Sequence, residues 1–159
     1  MLTIFFQSEH TILWKDLSVD RSDPSCVLGE GGFGVVRRGE WVRTPVAIKE
    51  LHLKSAAISE EAKAEFEKES TLHAKLRFTH IVQFFGVCLD GPAPMMVMEI
   101  MHRSLTSLLR NKSEELIWSE KLRLGLEITN GLEYLHSHKL IHRDLKSMNV
   151  LLSETSKHD

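Results

Sequence analysis

Short apolar runs broken by glycine, proline and charge fill the first two thirds of the chain, and a three-to-four-residue apolar spacing takes over in the last third. Over residues 26–48 the pattern predicts a strand at Val27-Leu28, a glycine turn at 29–34, a second strand through Val35-Val36 and, after Trp41-Val42, a third at Val46-Ala47-Ile48. Glycine supplies the backbone freedom that a tight turn asks for. Ser59 is a candidate N-cap, Glu60 and Glu61 suit the positive end of a helix, and helix formers continue to Leu76, with Phe66, Leu72 and Leu76 facing a core. Residues 81–87 and Met95–Glu99 read as two more strands around a turn that contains Gly91, Pro92 and Pro94. A five-stranded antiparallel sheet with one long helix follows. Beyond Met101 the pattern predicts a short helix over Leu105–Arg110 and a long one capped by Ser119 and running through His136, on which Leu124, Ile128, Leu132 and Leu135 share a face.

Composition narrows the classes. The 159 residues suit one compact domain, or part of one. They are 42% hydrophobic and 26% charged with a formal net charge of -2, so neither a basic nucleic-acid field nor an acidic disordered tail is present. Cys26 and Cys88 lie far apart and outside any C-x-x-C pair, which fits a reducing, cytoplasmic setting without disulfides or a thiolate metal site. The apolar residues 2–6 lack a basic flank and run into Gln7, Ser8, Glu9 and His10. They are too short for a signal peptide or a membrane span, and no later run approaches the length of a span.

Three segments carry candidate chemistry. The first, 29–36, satisfies G-x-G-x-x-G-x-V. Alone it fits an ordinary hairpin turn as well as a phosphate-covering loop. A dinucleotide-binding fold would open a helix after Gly34, yet β-branched residues follow, and Val35 stands where a P-loop needs lysine. The second is Lys49, at the end of Val46-Ala47-Ile48, an ammonium able to hold phosphate oxygens if a carboxylate orients it. Glu65 and Glu69, one turn apart on the long helix, are the candidate partners. The third is His142-Arg143-Asp144-Leu145-Lys146-Ser147-Met148-Asn149, which matches H-R-D-L-x-x-x-N at every fixed position. A carboxylate there can accept the proton of an attacking hydroxyl while an amide oxygen binds a metal, although an Asp and an Asn in a loop also commonly satisfy backbone donors. His136, His138 and His142 crowd together without the spacing or partner carboxylate of a metal site.

Together, in this order, these segments resemble the protein kinase superfamily from about Trp14 onward. Gly86-Val87-Cys88, the run Leu132-Glu133-Tyr134-Leu135-His136, and Lys146-Ser147 are similar to the tyrosine-kinase-like group of serine/threonine kinases. The resemblance implies an α+β kinase fold: a five-stranded antiparallel small lobe with one long helix, then the first helices and catalytic loop of a truncated helical large lobe. It implies that Gly29, Gly31 and Gly34 form a lid over ATP phosphates, with Leu28, Val36 and Ala47 lining the adenine pocket. Lys49 would contact the phosphates and Glu69 would be its ion-pair partner, with Glu65 as second choice. Met98 would be the gatekeeper, and Glu99, Ile100 and Met101 the hinge. Asp144 would take the substrate proton, Lys146 would steady the γ-phosphate, and Asn149 would ligate Mg2+.

The implied domain plan is an N-terminal extension over 1–20 and a partial kinase domain over 21–159, with the small lobe to about 100, the hinge at 99–102 and the start of the large lobe at 103–159. The motif D-F-G, which holds a further magnesium in this family, does not occur in the sequence. The expectation is that the 159 residues alone transfer phosphate negligibly and that Leu124, Ile128, Leu132 and Leu135 stay uncovered, so that a partner would cover the truncated large lobe. The turn at Arg77-Phe78-Thr79-His80, where the family usually has H-P-N, is expected to be less rigid. Implied partners are ATP and a protein with a reactive Ser or Thr, with no nucleic acid. Two other readings stay open: a nucleotide-binding or scaffolding fragment that regulates a partner kinase, and a Rossmann-type oxidoreductase.

Overall fold

Alternating apolar positions in the first part of the chain pair into a curled antiparallel sheet, and the helical spacing of the last part builds a separate unit. The computed structural model describes residues 10–31, 34–51 and 60–153, the side chains of 60–63 and 65 excepted. The Ser59 cap, the side chains of Glu60, Glu61 and Glu65, and Gly32 in the glycine turn lie outside the described residues. One unit holds the described residues up to Leu76 together with Gln83–Ile100, and the other holds Arg77–Val82 and the described residues from Met101 onward.

In the first unit the strands are β1 (Leu17–Ser18), β2 (Val27–Gly31), β3 (Gly34–Trp41), β4 (Thr44–Leu51), β5 (Phe84–Cys88) and β6 (Met95–Glu99), with helix α1 (Glu60–His73) between β4 and β5. The path β1-β3-β4-β6-β5 is antiparallel throughout, and β2 shares the β3 edge with β1. The expected five strands thus gain a sixth, the two-residue β1. It adds because Leu17 and Ser18 reach the end of β3 that β2 leaves free.

Each face of the sheet has its own apolar cluster. Leu51, Phe84, Val87 and Met96 pack with Phe66 of α1. On the other face Val46, Ile48, Cys88, Met95 and Val97 pack with Ile12 and Leu17, and Trp14, Val19 and Trp41 lean against them. Residues 10–19 are therefore part of this core. His10 and Ile12 exchange backbone hydrogen bonds with Val87 at 2.9 and 2.8 Å, and the Trp14 N–H donates to Asp90 at 2.9 Å.

No described glycine has a positive φ; the left-handed positions are Val42, Arg43, Lys139 and Arg143. Gly34 serves close approach instead. A Cβ there would land on the carbonyl oxygen of Glu50 across the β3–β4 ladder. Val42 (φ 46°) and Arg43 (φ 67°) form the two-residue loop of that hairpin, between the paired Trp41 and Thr44. Two consecutive positive φ values suit the right-handed twist of the strands, but a β-branched residue is a poor occupant of such a turn.

In the second unit β7 (Arg103–Ser104) pairs with β8 (Leu151–Leu152), and two helices follow β7, α2 (Leu105–Arg110) and α3 (Trp118–Ser137). Ser119 does not cap α3. The flanking residue is Ile117, whose N–H donates to the Glu120 carboxylate at 3.0 Å, a partner one turn into the helix that Ser119, already inside it, would not need to replace. At the other end Lys139 adopts φ 59°, and Leu140 N–H reaches Leu135 O at 2.9 Å while Lys139 N–H reaches His136 O at 2.9 Å, a Schellman closure.

One expectation about this unit fails. Leu124 packs with Leu108 and Leu152, Leu135 is buried as well, and Ile128 and Leu132 are half-buried, so this face is not left uncovered. The exposed apolar residues of α3 are instead Trp118, Leu122 and Leu126, at 72%, 59% and 62%. The departing turn at Arg77–Val82 makes defined contacts of its own. Ile81 N–H closes it onto Phe78 O at 3.0 Å, the Phe78 ring stacks on Tyr134 at 4.6 Å and 3°, and Arg77 N–H donates to the Tyr134 hydroxyl at 3.1 Å.

Candidate functional site

Register places the residues of the first unit in rows across the sheet. Gly29, Val36, Lys49 and Met96 are successive cross-strand partners, and Arg38, Ala47, Met98 and Phe84 form the next row of the same parity. Directly paired residues share a face, so Val36, Ala47, Lys49 and Met98 all lie on the face that α1 covers. Leu28 sits at a register shift between Val27 and Gly29 and is 44% exposed. Gly31 pairs with Gly34 at the closing end of the β2–β3 hairpin. A Cβ built on Gly29 or Gly31 would meet nothing within 4 Å among the described residues, which leaves the backbone of β2 open to close approach by them on that side.

Glu69 meets Lys49 from α1. The Lys49 Nζ lies 2.6 and 2.8 Å from the two Glu69 carboxylate oxygens. Glu69 is three residues after the buried Phe66, so the packing that docks α1 against Phe84 and Met96 also aims Glu69 at β4. With both side chains partly exposed the pair adds little stability; what it does is hold the ammonium in one place.

Glu50, the next residue of β4, faces the opposite side and is buried, and Arg21 pairs with both of its oxygens through Nε at 3.2 Å and through Nη2. Sequence reasoning missed this pair. Its members stand 29 residues apart, and no periodicity links an arginine in a connecting segment to a strand carboxylate. Glu99 closes β6: its N–H donates to Gln83 O at 2.9 Å and its carboxylate accepts from Gln83 N–H at 2.6 Å. Met101 lies just beyond, in the second unit.

The second unit gathers Asp144, Lys146 and Asn149 in the loop after α3. Asp144 Oδ2 accepts from Lys146 Nζ at 2.9 Å and from Asn149 Nδ2 at 2.9 Å, and Nδ2 also donates to the Asp144 carbonyl at 2.8 Å. The hydrogen bond from Lys146 above all, and then that from Asn149, hold the Asp144 carboxyl below the usual carboxylate range, so it is ionised at neutral pH. With Nδ2 committed to Asp144, the Asn149 side-chain oxygen receives no hydrogen bond among the described residues, and a hard oxygen of this kind suits Mg2+. Arg143, immediately before Asp144, takes φ 63°, and Asp144 N–H donates to His142 O at 2.9 Å. Among the described residues no cluster of His, Cys, Asp and Glu forms a self-contained metal site.

Comparison with known proteins bears on the same residues. A family model described as protein tyrosine and serine/threonine kinase matches residues 24–158. The Dictyostelium discoideum protein named Probable serine/threonine-protein kinase drkD is 38% identical over 131 residues, 80% of this chain and 10% of that protein. Probable serine/threonine-protein kinase drkB of the same organism is 36% identical over 146 residues, 90% of this chain and 21% of its own length. Receptor-like protein kinase FERONIA of Arabidopsis thaliana is 37% identical over 139 residues, 83% of this chain and 15% of that protein. The chain thus spans between 10 and 21% of the length of these curated relatives. A match over nearly the whole described chain places this protein in the protein tyrosine and serine/threonine kinase family.

Proposed function

We propose that the chain contributes to a protein serine/threonine kinase that moves the γ-phosphate of ATP to a protein hydroxyl, and the observation that carries this is the Asp144–Lys146–Asn149 cluster. Asp144 is ionised and exposed, so it can accept a hydrogen bond from an incoming hydroxyl and take its proton as the oxygen attacks phosphorus. Lys146, whose ammonium already stands beside that carboxylate, balances the charge on the phosphoryl oxygens in transit. A lysine two residues after the aspartate resembles the serine/threonine pattern, which favours alcohol over phenol acceptors.

In the same reading Lys49, held by Glu69, engages the phosphates, and the open backbone at Gly29 and Gly31 admits them closely. Leu28, Val36, Ala47 and Met98 supply apolar walls for the adenine, and the backbone at Glu99 and Met101 its polar edge. Asn149 would hold Mg2+, which when bound neutralises charge on the phosphates. The first unit is the small lobe, and the residues from about 103 onward begin the large one. Unpaired Cys26 and Cys88 support a reducing compartment, and among the described residues no helix is long and apolar enough to cross a membrane.

The test is transfer of labelled γ-phosphate from ATP by the full-length protein as its native cell produces it, followed by phosphoamino-acid analysis. The expected result is phosphoserine or phosphothreonine, with a loss of at least about a hundredfold in Asp144→Ala, the scale of one positioned acid–base group. ATP binding without transfer would mark a nucleotide-binding, partner-regulating role, and NAD binding in place of ATP would revive the oxidoreductase reading.

A further inference from the structure

The loop carrying Asp144, Lys146 and Asn149 is tied to residues 102–106 by a run of hydrogen bonds. His102 N–H donates to Leu152 O at 2.9 Å, Arg103 and Ser104 pair with Leu152 and Leu151, and Leu105 N–H donates to Val150 O at 2.7 Å. The last rung is double: Thr106 N–H donates to Ser147 O at 3.1 Å, and the Thr106 and Ser147 hydroxyls lie 2.7 Å apart. Ser147 is the second residue of a tight turn closed by Asn149 N–H on Lys146 O at 2.8 Å.

The base of this brace is firm. Leu108 and Leu152 are buried with Leu124, and Ser104 accepts from Ser107 N–H at 3.2 Å at the start of α2. The loop itself is not: Leu145 and Met148 are 48% and 61% exposed. A segment with so little apolar burial owes its order to hydrogen bonds.

We propose that Thr106 is a positioning residue for phosphate transfer: through the Ser147 hydroxyl it fixes the turn from which Lys146 and Asn149 project. The inference rests on the kinase reading above. Neither hydroxyl touches the reacting atoms, so the loss on removal is that of one neutral hydrogen bond, about two- to tenfold, and it falls on the transfer step.

The experiment compares Thr106→Val, Ser147→Ala, the double variant and Thr106→Ser in the full-length protein, with Asp144→Ala in the same assay. Expected are a two- to tenfold lower kcat in each single variant with KM for ATP changed by less than about twofold, a double variant no worse than the lower single, and recovery in Thr106→Ser. Hydrogen exchange on the 159-residue chain supplies a readout without turnover: amides of 145–150 exchange faster in Thr106→Val, whereas those of α3 do not. Unchanged kcat and exchange in Thr106→Val, additive losses, or no recovery in Thr106→Ser would overturn the proposal. Transfer that survives Asp144→Ala refutes the kinase reading itself, and the role in transfer falls with it, a result the exchange data alone would not give.

Discussion

Replacing Val42-Arg43 by Asn-Gly should stabilise the sheet that carries Lys49. Both residues occupy the left-handed region, at φ 46° and 67°, and Val42 is 67% exposed, so its side chain contributes little packing in return. An L residue held there costs roughly 1–2 kcal/mol, at the upper end for a β-branched side chain. Asparagine tolerates the conformation and glycine has no such cost, although glycine returns about 0.4–1 kcal/mol by loosening the unfolded chain. The net gain is about 1.5–2.5 kcal/mol, which at about 2–4 °C per kcal/mol for a chain of this size raises the midpoint by about 3–10 °C. Thermal unfolding followed by tryptophan fluorescence is a suitable assay, because Trp41 borders the turn and Trp14 packs on the same cluster. Val42→Ala, which removes only the branch, should show a smaller rise. A midpoint unchanged or lowered in the double variant would refute the argument from backbone strain.

Gly34→Ala should destabilise by about 1–3 kcal/mol in urea unfolding, because the new Cβ meets the backbone of Glu50 rather than a movable side chain. Lys146→Ala should raise the Asp144 carboxyl toward its ordinary range, read by carbon NMR titration. The sign follows from the shift: a carboxyl depressed in the folded state supports folding above its unfolded value and loses that support as pH falls through the folded one, so the variant loses its share at higher pH. Cys88 is fully buried and its thiol is pushed up to about 11, by burial first and then by Asp90, so iodoacetamide at pH 8 should label it only on unfolding, as mass spectrometry would show.

Much of the fold was legible because local signals agreed. The bounds Leu105–Arg110 and Met95–Glu99 coincide with expectation, and Phe66 is buried as helical spacing implies, whereas the helix expected to reach Leu76 ends at His73, with Leu72 half-buried and Leu76 buried beyond its end. The meeting of Lys49 with Glu69 was legible by resemblance, and the structure shows the contact without testing its role. Tertiary pairings between distant segments were not legible. Residues 10–19 have no strand pattern, and their place is set by Val87 and Asp90 more than 70 residues on. The Phe78–Tyr134 stack needs two segments juxtaposed by the fold, so no local pattern announces it. The apolar face of α3 was legible and its cover was not, because periodicity shows which residues share a side and not what covers it: Leu108 and Leu152 cover Leu124.

The central claim, that these residues clamp the phosphates of ATP, is tested most directly by calorimetric titration of ATP with Mg2+ into the protein and into Lys49→Met. The account predicts saturable binding that Lys49→Met weakens by about ten- to a hundredfold, the value of a charge-assisted hydrogen bond to phosphate. No binding of ATP, or binding of equal strength in Lys49→Met, would contradict it.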